Sequence, residues 1–228
     1  MASGKANRHT PLNYWETGFS ALKMTTLPNA LTDFDNSKDR DKLPYIEAII
    51  QEAHRWYPVR PMGFPHTTTD EDMCGGYRIP RGSILMPNVW AFTHGQMVYH
   101  DPMHFTPERF LNTEKLSVEP DLTSMLFGWG RRACPGRLVA ESAMYLTIAL
   151  FLKIFDIRKP VENGREINPV VNIKPGVVVH PEPFQIVIET RSPKHRALLS
   201  TYADQFNWDQ SDSVKNKGNG ELRYILEP

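Results

Sequence analysis

Cys134 stands in Phe127-Gly128-Trp129-Gly130-Arg131-Arg132-Ala133-Cys134-Pro135-Gly136, among residues suited to an exposed, anionic metal ligand. Pro135 fits the first position of a helix, where its missing N–H is no loss, and the apolar, helix-forming run Leu138–Phe155 follows. The thiol is then expected at a helix N-terminus, whose free N–H groups and dipole favour the thiolate, the form that binds metal. Gly130 and Gly136 leave a large flat ligand free to approach the sulfur. Phe127 is placed to shield the sulfur from water, and Arg132 to offer a forked cation to an acidic group on the ligand. A protected thiolate beside a cation and a flat ligand reads as a haem-iron site. The competing reading of a lone cysteine is a small buried apolar residue. It leaves the spacing Phe-x-x-Gly-x-Arg-x-Cys-x-Gly without a reason.

The elements that must position this loop are legible on both sides of it. Leu43–Arg55 reads as a helix with an apolar stripe of Tyr45, Ile46, Ile49, Ile50 and Ala53. Glu52 and Arg55 stand at i and i+3 on it, which alone reads as an exposed pair worth a few tenths of a kcal/mol. Pro61 and Pro65 rule out continuing that helix through Pro61–His66. Gly76–Met86 alternates around a Pro/Gly turn and predicts a β-hairpin near 76–87. Ile167–Ile188 reads as β-rich, with Pro175-Gly176 as a turn between short apolar runs. Cys74 lies at the hairpin edge and reads as an incidental free thiol. Two cysteines so differently placed imply no disulfide framework and a reduced compartment.

Composition bounds the rest. The 228 residues, 40% hydrophobic, can bury one sizeable core, and the formal net charge of zero argues against nucleic acid as a partner. Ala143–Leu152 is shorter than the ~20 residues a bilayer span needs and fits a buried helix. Met1–Thr10 is polar and basic, so no signal peptide or membrane anchor is expected in this chain. Ser211–Gly220 is polar and predicts a mobile tail. No internal repeats occur.

Taken with Glu52-x-x-Arg55 and Pro107-Glu108-Arg109-Phe110, all in the same order, the loop resembles the haem-binding part of the cytochrome P450 family. The resemblance implies a fold mostly α with small β-sheets, here the C-terminal part of that fold. Residues 1–33 are expected to be an unmatched N-terminal segment, 34–192 the C-terminal part of a P450 domain, and 193–228 a polar mobile tail. It implies Cys134 as axial ligand of haem b iron, pushing electron density that favours O–O cleavage. Phe127, Gly130 and Gly136 would complete the cofactor loop, while Arg132 and His66 would neutralise propionates. Glu52, Arg55 and Arg109 are implied as a structural triad that locks the cysteine loop. Gly176–His180 and Pro61–His66 are implied at the substrate pocket. Electrons would come from NADPH through a separate NADPH–cytochrome P450 reductase, with Arg131 and Arg137 helping to dock its acidic face. The substrate would be a small apolar organic molecule. Asp41–Ala48 and Arg191-Ser192-Pro193 look most like fungal P450s of the O-methylsterigmatocystin oxidoreductase-like group, which implies secondary metabolism. The family's (Ala/Gly)-Gly-x-(Asp/Glu)-Thr motif for oxygen activation has no match. No catalytic residue is therefore assigned, and the chain is expected to be truncated. A non-catalytic haem binder and an inert remnant stay open beside the enzyme. The full-length family would lie at the endoplasmic reticulum membrane surface, a lone fragment in the cytoplasm.

Overall fold

The computed structural model describes residues 37–111, 119–120, 122–170, 172–205 and 222–225. Residues 1–36, most of them in the expected unmatched segment, lie outside it. The described residues fall into two compact units, one made of those within 37–149 and 175–180, the other of those within 150–174 and 181–225.

In the first unit a 3-10 turn, Ser37–Lys42, leads into helix α1, Pro44–Trp56. Pro44 starts α1, where its ring is pre-set for the helix. Pro58 ends it, since the residue before a proline avoids helical backbone, and the Tyr57 N–H closes on Ala53 C=O at 3.2 Å. The buried face is Ile46, Ala48, Ile50, Glu52 and Arg55. Tyr45, Ile49 and Ala53 are only half-buried, so the expected stripe is rotated to take in two charged residues, and the exposed reading of Glu52 and Arg55 does not hold. Ala48 joins Tyr99, Phe110 and Leu122 in the core, with Leu111 and Leu126 packed against it.

The strands after α1 differ from the expected hairpin. Strand β1, His66–Thr67, pairs antiparallel with β4, Ile84–Leu85. Strand β2, Asp72–Cys74, pairs with β3, Tyr77–Ile79. Gly75 and Gly76 have φ +56° and +84°, the doubly left-handed turn that two-residue hairpins prefer. That turn takes β3 for β2, and Pro80–Gly82 merely carries the chain on to β4. Helix α2, Val89–Thr93, is capped by Asn88, whose Oδ1 accepts the Ala91 N–H at 3.0 Å. A 3-10 turn, Pro107–Phe110, packs on α1, and α3, Thr123–Leu126, precedes the cysteine loop.

Helix α4, Arg137–Ile154, buries Tyr145, Ala149 and Leu152 but leaves Leu138 75% and Val139 74% exposed. A helix apolar all round needs partners on every side; among the described residues it has them on one. It is thus half-buried rather than buried. No helix of the described residues is long and apolar enough to cross a membrane.

The second unit is built on an antiparallel sheet with β10, Gln185–Thr190, between β5, Phe155–Arg158, and β11, Leu222–Ile225. Arg191 closes its end: Nε donates to Leu152 C=O at 2.8 Å and Nη1 pairs with Asp156 at 2.8 Å. Strands β6, Val161–Glu162, and β7, Arg165–Glu166, make a hairpin. Strands β8, Ile173–Lys174, and β9, His180–Pro181, stand on either side of the Pro175-Gly176 turn in sequence, and residue 171 lies outside the described residues. The segment from Pro193 is a helix, α5, Pro193–Gln205, and not an irregular tail. Ser192 caps it by accepting the His195 N–H at 3.3 Å, and Pro193 supplies the preset first turn. The remainder of the expected tail, 206–221 and 226–228, lies outside the described residues.

Candidate functional site

The cysteine loop is closed by its own backbone. Gly130–Arg132 forms a 3-10 turn, and the Cys134 N–H donates to Phe127 C=O at 2.7 Å. Gly128, at φ +79°, lets the chain turn back: a Cβ there would sit 3.3 Å from Arg132 O. The sequence reading did not single it out, although a glycine next to a loop aromatic is the available signal. Cys134 is exposed and free. Its carbonyl accepts the Arg137 N–H at 3.4 Å, and Gly136 C=O accepts the Ala140 N–H at 2.9 Å. Helix α4 therefore begins at Arg137. Pro135 precedes the cap and does not occupy the first helical position, because Gly136 provides the first helical acceptor.

Around the sulfur, a Cβ on Gly136 would lie 3.8 Å from Sγ, and one on Gly130 would meet nothing within 4 Å. The Phe127 ring stands edge-on to His54 at 5.5 Å and 6.0 Å from the Arg137 guanidinium. What Phe127 gives Cys134 is its carbonyl. Arg131 and Arg132 are exposed, and neither is ion-paired to a described residue. Arg137 pairs with Glu141 at 2.8 Å. Among the described residues no three His, Cys, Asp or Glu side chains gather to hold a metal ion. A metal on Cys134 would have one protein sulfur and need a ligand that brings its own donors, as a porphyrin does. An exposed thiol, two bare glycines and free cations fit such a group.

Glu52 and Arg55 are fully buried and Arg109 is 5% exposed. Arg55 donates Nε to Glu52 Oε2 at 2.7 Å and Nη2 to Oε1 at 2.8 Å. Arg109 Nε lies 3.1 Å from the same Oε2, in contact but without hydrogen-bond alignment. Arg55 also donates to the carbonyls of Thr93 at 3.0 Å, Pro102 at 2.8 Å and His104 at 3.1 Å. Arg109 adds His100 C=O and the Glu119 carboxylate, both at 2.9 Å. Glu52 accepts the Thr106 N–H at 2.7 Å. So the three expected residues meet, but their bonds end on the Thr93–Glu119 segment. Among the described residues none reaches 127–136; α1 touches that loop through His54. Glu119, and Tyr99 whose ring lies 5.5 Å from the Arg55 guanidinium, were not expected members.

His66 sits in β1, exposed, and no side-chain interaction links it to the cysteine loop. In the Gly176–His180 loop the Val179 N–H donates to Val59 C=O at 3.0 Å, beside the Pro61–His66 segment. His94 stacks on Trp90 at 3.6 Å and bonds Thr93 Oγ1 at 2.8 Å. Burial, and then the Arg55 charge, push its imidazole down to about 4.

Comparison with known proteins identifies the family. A family model described as Cytochrome P450 matches residues 29–188. Cytochrome P450 monooxygenase claR of Ampulloclitocybe clavipes is 46% identical over 167 residues, covering 73% of this chain and 31% of that protein. O-methylsterigmatocystin oxidoreductase of Aspergillus flavus is 38% identical over 187 residues, covering 82% and 34%. Among solved structures, a zebrafish cytochrome P450 with abiraterone is 27% identical with a TM-score of 0.63, covering 80% of this chain and 40% of that one. The chain spans about a third of the length of the curated relatives it matches. It belongs to the cytochrome P450 family of monooxygenases.

Proposed function

We propose that this chain is the haem-carrying part, residues 34–192, of a fungal monooxygenase that oxidises a small apolar organic molecule in secondary metabolism. The observation that carries the reading is the exposed Cys134 thiol, its N–H fixed on Phe127 C=O three residues before α4 begins. When bound, haem b supplies the activation of dioxygen, with electrons from NADPH through a separate P450 reductase. Cys134 would hold the iron by its sulfur, while Gly130 and Gly136 admit the ring plane. Arg132 and His66 would neutralise the propionates. Glu52, Arg55 and Arg109 hold the segment that packs on α1. The Pro61–His66 segment and the Gly176–His180 loop would meet the substrate, excluding water with apolar side chains. Arg131 and Arg137 would face the reductase. The full-length enzyme would work at the endoplasmic reticulum membrane surface.

A second reading is a non-catalytic haem-thiolate binder, which would use the same exposed Cys134 thiol without oxygen chemistry. Haem titration of the purified chain, followed by NADPH and reductase under oxygen, separates the two. Haem uptake with oxygen incorporated into an organic probe supports the enzyme. Uptake without incorporation supports the binder, and no uptake overturns both.

A further inference from the structure

The buried Glu52–Arg55 network anchors α1 to the Thr93–Glu119 segment and leaves the cysteine loop to another residue of the same helix. His54 lies between Glu52 and Arg55, so the network that fixes those two also fixes the direction in which its half-buried ring leaves the helix. That ring meets Phe127 edge-to-face, at 5.5 Å and 81°, a favoured aromatic geometry. Phe127 in turn provides the carbonyl that takes the Cys134 N–H at 2.7 Å. Ring and carbonyl belong to one residue, so a contact that pins the ring restrains the backbone segment from which the carbonyl reaches Cys134. The Arg137 guanidinium, held by Glu141, lies 6.0 Å from the same ring and ties it to α4.

We propose that His54 is a positioning residue for Cys134, acting through Phe127. Its importance for metal ligation rests on the reading of Cys134 as the iron ligand, but the positioning itself does not, and it is tested without haem. Amide hydrogen exchange at Cys134 is followed by NMR in the isotope-labelled chain. The Ala140 amide, bonded to Gly136 C=O at 2.9 Å, serves as internal reference. His54→Ala should speed Cys134 exchange about tenfold relative to Ala140, the size a single aromatic contact supports. His54→Phe, which keeps an aromatic edge, should restore the original ratio. Exchange at Cys134 that stays at its original rate in His54→Ala, or no restoration in His54→Phe, overturns the proposal. Should both amides quicken together in His54→Ala, His54→Leu decides by filling the space without a ring. Faster exchange at Cys134 alone then supports the role, and no difference overturns it. Because the measurement is made on apo-protein, failure of haem uptake and failure of this inference are separate results.

Discussion

Glu52 grips Arg55 with both carboxylate oxygens, at 2.7 and 2.8 Å, where neither side chain meets solvent. A buried carboxylate between two guanidiniums is costly to break, because removing one member strands the others. Glu52→Gln should therefore lower the unfolding free energy by about 3 to 5 kcal/mol, measured by urea denaturation. A loss under about 1 kcal/mol, the range of exposed pairs, would show that the network does not hold the fold.

His94 predicts how stability varies with pH. Its folded value is lowered from 6.5 to about 4. Between those values the unfolded chain binds a proton that the folded chain refuses, so stability falls as pH drops from 6.5 and levels off below about 4. Partial exposure screens the size of the effect. His94→Phe keeps a ring on Trp90 and removes the titration, so urea midpoints across that window should flatten. An equally steep decline in His94→Phe would assign the pH effect elsewhere.

The two sides of α4 should respond oppositely to substitution. Leu138→Ser and Val139→Ser fall on its exposed side and should change stability by less than about 0.5 kcal/mol, while lowering binding of an apolar dye. Leu152→Ala, on the buried side, should cost about 2 to 5 kcal/mol. Equal costs would mean that the bare face is covered in solution.

Reductase docking predicts a kinetic effect with a salt signature. Arg131→Glu, alone and with Arg137→Glu, should slow NADPH-driven reduction of the haem-loaded chain and weaken its dependence on salt. The single variant matters because Arg137 already pairs with Glu141 at 2.8 Å, whereas Arg131 is exposed and pairs with none of the described residues. Unchanged rates in both would place the docking face elsewhere.

Much of the site was legible before the structure, because its residues sit close together in the chain. Phe127 to Gly136 is one loop, and Glu52 with Arg55 one helical turn. What escaped depends on long-range contact or on competing local signals. Glu119 reaches Arg109, and Arg55 finds carbonyls at 93, 102 and 104, which no local pattern announces. His54 read as one more residue of a helix until its ring was found on Phe127. Two turn signals competed after His66, and Gly75-Gly76 prevailed over Pro80–Gly82 because both glycines adopt left-handed backbone. Polarity alone mispredicted α5, where a Ser-Pro start followed by Ala197, Leu198 and Leu199 favours a helix.

The central claim is that the Cys134 sulfur is the iron's protein ligand. Its most direct measurement is the ferrous, carbon monoxide-bound absorption spectrum of the haem-loaded chain, compared between Cys134→Ser and Cys74→Ser. The account predicts the long-wavelength Soret band of thiolate ligation in the wild type and in Cys74→Ser, and its loss in Cys134→Ser. A band that survives in Cys134→Ser, or disappears in Cys74→Ser, would contradict it.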